Sequence, residues 1–131
     1  MIRSISIAIA LLTALVGCGK SSSTAKAAKA HTSTNAPKVG GVYATKTTKG
    51  DYSISKVLAV DDSAVHLRMY SDSFPSIPAA IDTSKLKIAI GHAPFAVEGF
   101  ASDSPSLIVV EKVAEAEMEG YRIYLEAMGG R

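Results

Sequence analysis

The sequence has one cysteine, Cys18, and no tryptophan. A single thiol excludes an intramolecular disulfide and any zinc site built from several cysteines. Acidic residues are missing from the first 50 positions, and all 12 lie from Asp51 onward. Before Val39 the only charges are Arg3, Lys20, Lys26, Lys29 and Lys38. From Val39 on, 9 basic residues face 12 acidic ones, a net charge of −3. The whole-chain pI of about 8.7 therefore misdescribes the C-terminal part, which is mildly acidic. Phosphate backbones need clustered Lys and Arg, so this balance argues against nucleic-acid binding. Long apolar runs are also missing. The longest, Ile5 to Val16, is broken only by Ser6 and Thr13. As a helix it covers about 18 Å, against a hydrocarbon core of about 30 Å.

What is present begins with the three parts of an export leader in residues 1–17: a basic start at Arg3, an apolar centre and a small-residue end. Leu15-Val16-Gly17-Cys18 resembles the lipobox of bacterial lipoproteins. The resemblance implies that a diacylglyceryl group joins the Cys18 sulfur, that the chain is cut before Cys18, and that the new amine can be acylated. Each buried methylene of such lipid contributes about 0.8 kcal/mol, and two or more chains anchor stably. The expected location is the bacterial cell envelope, on the membrane by its lipid. Gly19 stands where an Asp would favour inner-membrane retention, which points to the periplasmic face of the outer membrane in a Gram-negative cell. No cofactor is expected beyond that covalent lipid.

Residues 18–38 read as the lipidated cysteine and a Ser/Thr/Ala/Lys tether with no large apolar side chain. Such a segment buries too little surface to offset its ordering entropy. Twenty flexible residues span roughly 25 Å. Residues 39–131 then form one small domain, long enough to bury well over half of its unfolded surface.

The domain pattern is mainly β with one C-terminal helix. Strands are expected at Val39–Ala44, Tyr52–Val60, Ala64–Tyr70, Leu86–Ile90 and Leu107–Val110. Lys56 interrupts the inward face of the second, so a bulge or burial on both sides is expected there. In the third, Val65, Leu67 and Met69 point in while His66, Arg68 and Tyr70 point out or line a groove. Pro75 and Pro78 make residues 71–84 largely loop, and Pro94, Gly99 and Pro105 do the same for 91–106. Met118, Tyr121, Leu125 and Met128 fall on one helical face, with Glu115, Glu117 and Glu119 at its start. Gly120 is a close-packing point or a break, after which Tyr121–Leu125 would be a sixth strand.

The run from Gly40 to Tyr70 resembles the strand-turn-strand of SH3-like and Tudor-like barrels, which implies a small barrel or a curved antiparallel meander closed by the helix. The blocks Lys56-Val57-Leu58, Val65-His66-Leu67-Arg68, Gly91-His92-Ala93-Pro94 and Glu119-Gly120-Tyr121-Arg122-Ile123 also resemble a bacterial family without an assigned activity. Tyr124, where that family more often has Trp, and Ala114, in place of a capping Ser or Thr, depart from it. That resemblance implies a shared domain and adds no chemistry.

No stretch reads as an active site. His66 and His92 lack HxH or HExxH spacing, so no metal is expected. The serines sit in no GxSxG elbow. Asp61-Asp62 reads as a turn, and the early glutamates of the C-terminal segment as a solvated helix start. Aromatic residues at strand ends of SH3-like and Tudor-like barrels can form a groove for peptides or cations. The candidate groove is Arg68, Tyr70, Phe74 and His92. The expected function is a non-catalytic binding module met by an envelope protein or peptide. The alternatives are an accessory subunit of an envelope complex and, remotely, an envelope hydrolase.

Overall fold

The computed structural model describes residues 36–129. The leader, Cys18 and the tether as far as residue 35 lie outside the described residues.

The alternating segments form β1 (Gly41–Lys46), β2 (Tyr52–Val60), β3 (Ala64–Phe74), β4 (Ile88–Ala96) and β5 (Ser106–Val110). They make one antiparallel sheet in the order β4-β3-β2-β1-β5. The first four strands run as a meander, and β5 crosses over to pair with β1 at the opposite edge. Among the described residues the sheet is open and does not close into a barrel. A short helix α1 (Val97–Ser102) precedes β5, and the chain ends in a 3-10 turn (Glu115–Met118) that runs into α2 (Glu119–Ala127). The fold is thus mainly β with a C-terminal helix.

The β2–β3 hairpin turns at Asp61, whose Oδ1 accepts from the backbone N–H of Ser63 (3.0 Å) and Ala64 (2.7 Å). In β2 both expected irregularities occur. The register shifts twice against β3, and Ile54 to Leu58 are buried without a break. The sheet is therefore covered on both faces. One face packs Tyr43, Val57, Val65 and Leu67 against Phe100 of α1. The other packs Val42, Ala44, Ile54 and Tyr70 with the half-buried Phe74, Leu86 and Ile108.

Three segments differ from the sequence reading. Ser71–Phe74 is not loop but the end of β3, Gly91–Ala96 is not loop but the second half of β4, and Val97–Ser102 is helical. Pro94 signalled a loop because proline cannot donate to a ladder. As β4 is an edge strand, its missing N–H faces no neighbouring strand. The first strand also begins later than expected, since Gly40 turns the chain at φ +80°. A Cβ there would lie 2.0 Å from the Glu111 carbonyl, so only glycine lets the start of β1 meet the end of β5 this closely. The Tyr121–Leu125 segment is helix, which removes the sixth-strand alternative. Gly120 is the close-packing point, for a Cβ on it would lie 2.6 Å from that of His92. Among the described residues no helix is long and apolar enough to cross a membrane.

Candidate functional site

Lys56 and Arg68 are direct cross-strand partners on β2 and β3. Like charges placed opposite each other on a sheet repel. The 3-10 turn resolves this by laying Glu117 over both. One Glu117 oxygen is 3.0 Å from Lys56 Nζ and the other 3.5 Å from Arg68 Nη1. Glu111, just after β5, approaches Lys56 Nζ at 3.3 Å and accepts from Thr83 Oγ1 at 2.6 Å. The Lys112 carbonyl accepts from the same ammonium at 3.1 Å. Lys56 is only 3% exposed, yet its ammonium donates to the Lys112 carbonyl and to the Glu117 carboxylate and is paired with Glu111.

The carboxylate of Glu117 is held ionised. Burial alone would push its pKa up, but the Ala114 amide and the Lys56 ammonium outweigh this and keep it below the usual range. Tyr70, beside Thr83, is pushed the other way by burial, so its phenol stays neutral. Arg68 is less well served. Its Nε is buried with no hydrogen-bond partner among the described residues.

These groups line a cleft of about 460 Å³, floored by Lys56, Arg68 and Tyr70 and walled by Leu86, Ile88 and Glu111. Of the four residues singled out from the sequence, Arg68 and Tyr70 meet here. Phe74 instead packs against the core cluster that contains Tyr70. His92 lies elsewhere on the sheet, with its Nε2 2.9 Å from Nδ1 of His66. The groove of four therefore reduces to a cleft of two. Lys56, Glu111, Glu117 and Thr83 complete it. Lys56 carried a signal in the sequence, as the charge that breaks an apolar strand, whereas Glu117, read there as part of a solvated helix start, is instead 12% exposed and paired with Lys56.

The two histidines, separated by 26 residues, are brought together by the β3–β4 ladder, which pairs His66 with Pro94. His66 is wholly buried, and its Nε2 lies 2.8 Å from Asp61 Oδ2. That bond, with the amides of Ser63 and Ala64, lowers the Asp61 pKa to about 2. Tyr121 and Tyr124 of α2 close over the pair, with ring centroids 4.6 and 5.0 Å from that of His66. Among the described residues no three His, Cys, Asp or Glu side chains group so as to hold a metal ion.

The lowered carboxyls of Asp61 and Glu117 bind protons more readily in the unfolded chain, so stability should fall as the pH drops. In urea unfolding the loss from these two carboxyls should begin as Glu117 passes below its ordinary 4.5 and continue through the Asp61 window, from 3.8 to about 2, on top of the loss that His92, lowered from 6.5, contributes at higher pH. A midpoint independent of pH from 7 to 2.5 would contradict this.

The architecture defines a class, an open five-stranded antiparallel sheet closed on one face by a C-terminal helix. Comparison of the chain with protein-family models, with curated proteins and with solved structures gives no match.

Proposed function

We propose that this chain is a lipid-anchored protein of the bacterial envelope whose folded domain is a non-catalytic binding module. The cleft over Lys56 and Arg68 is its recognition site, and a segment of an envelope protein is its partner. The observation that carries the reading is Arg68, a guanidinium that lines an open cleft and whose ion pair among the described residues is the long 3.5 Å contact from Nη1 to Glu117. A partner carboxylate there gains a charge-assisted bond, while Leu86 and Ile88 offer apolar surface beside it. The remaining charges of the cleft suit recognition better than turnover. A general acid near neutrality needs a raised carboxyl pKa, and that of Glu117 is lowered. The first half of the β4 edge continues the site, since Ile88 and Ile90 are about half exposed and no charge or proline precedes Pro94 in the strand.

The anchor is supported by the Leu15–Cys18 motif and by the length of polar chain between it and Val39. Intact-mass analysis of the native protein should find residues 1–17 removed and Cys18 carrying diacylglyceryl. An unmodified Cys18 would overturn the anchor. For the module, Arg68→Ala should keep the circular dichroism of the wild type and weaken capture of its partner roughly thirtyfold or more. Unchanged capture would remove the cleft from the account.

A further inference from the structure

The hydrogen-bond chain Asp61–His66–His92 admits only certain proton counts. Ionised Asp61 can only accept, so His66 Nε2 donates to it. In the neutral ring His66 Nδ1 is then an acceptor, and His92 Nε2 must donate across the 2.9 Å gap. One added proton is accommodated without moving an atom. It lies on the pair, Nδ1 of His66 donates to Nε2 of His92, and Asp61 balances the charge. A second proton is not accommodated. Two N–H groups would face each other at 2.9 Å, on two cations, one of them in a fully buried ring.

The pair is also the seat of α2. Tyr121 and Tyr124 rest on both imidazoles, and Gly120 rests on the Cβ of His92. No residue of α2 is itself fully buried, so little else holds the helix down. We propose that the histidine pair is a proton-operated latch: α2 stays docked while the pair carries at most one proton, and uptake of the second releases it. The groups facing the pair are Asp61 from the β2–β3 turn and the two phenols from α2. The charged residues of α2, Glu119, Arg122 and Glu126, are exposed, and Arg122 is paired with Glu115. Burial, and then the charge of His66, lower the pKa of His92 below its ordinary 6.5, which places the second proton on the acid side of that value.

The latch reaches the cleft through two residues of chain. Glu117 ends its carboxylate on Lys56 and Arg68, and α2 starts at Glu119. Undocking draws Glu117 away and leaves Arg68 uncovered at the cleft floor, while Glu111 and the Lys112 carbonyl stay on Lys56. This last step rests on the reading of the cleft as a recognition site, whereas the latch does not.

Hydrogen exchange of the full chain, corrected for the intrinsic pH dependence of amide exchange, reads the helix directly. One linked proton changes an equilibrium at most tenfold per pH unit. Between pH 7.5 and 5 the amides of Tyr121–Ala127 should lose protection at least tenfold while those of β2 and β3 keep theirs. In His92→Gln, which cannot take the second proton, the helix should show no such change. Histidine ring ¹⁵N titration of the wild type adds a reading that does not depend on a variant folding: helix release should follow the second proton and not the first. The latch is overturned if wild-type α2 protection is constant over this range, if His92→Gln loses it equally, or if both histidines protonate with α2 still protected. Release of α2 with no gain in partner binding would keep the latch and reject the cleft reading.

Discussion

Lys56→Ala is expected to lower the stability of the domain by about 3 kcal/mol, which for a domain of this size lowers Tm by roughly 12–24 °C. The cost does not come from losing attraction alone. Removing the ammonium strands Glu111 and Glu117 near each other, with the first still bonded to Thr83 and the second still receiving the Ala114 amide. Arg68 does not take over, since among the described residues its ion pair is the 3.5 Å contact with Glu117 and not with Glu111. The penalty should shrink as the pH falls below the ordinary 4.5 of Glu117, where that carboxylate takes up a proton. Lys46→Ala, at an exposed position of β1, is the control and should change stability by less than about 0.5 kcal/mol. Urea unfolding at pH 7 and pH 4 measures both effects. A Lys56→Ala domain as stable as the wild type would mean that the ion cluster is not formed.

Phe100→Ala is expected to cost about 3–5 kcal/mol, the range for removing a buried phenylalanine ring. Phe100 is the only buried residue of α1, and its ring meets Tyr43 edge-on at a centroid distance of 5.2 Å. It plugs the face of the sheet that carries Val57, Val65 and Leu67. Truncating it removes the one buried side chain of α1 and leaves a cavity beside the half-buried Val97 and Met69. Phe95→Ala, on the exposed side of β4, should cost far less. Equal losses for the two would contradict this assignment of the core.

The contrast between these two phenylalanines marks where the sequence could be read and where it could not. β2 and β3 were legible because alternation, the Asp61 turn and the misplaced Lys56 all pointed the same way. Phe100 was not, since a helix of six residues containing Gly99 shows no period. The second half of β4 was hidden by Pro94, which reads as loop unless the strand is known to be at an edge. For the site, alternation put Arg68 and Tyr70 on one face. It could not supply Glu111 and Glu117, which reach Lys56 only after β5 crosses to β1. The histidine pair was illegible for a similar reason. Ladder register, not spacing along the chain, sets His92 beside His66, and Gly120 reveals its purpose only once α2 lies on that pair.

The central claim is that the open cleft over Arg68 holds a partner segment in the native envelope. It is tested most directly by placing a photo-crosslinking residue at Ser84, on the cleft wall, and another at Ser102, at the end of α1. The account predicts one protein adduct from position 84, lost when Arg68→Ala is added, and none from position 102. An adduct from position 102 alone, or one from position 84 that survives Arg68→Ala, would contradict it.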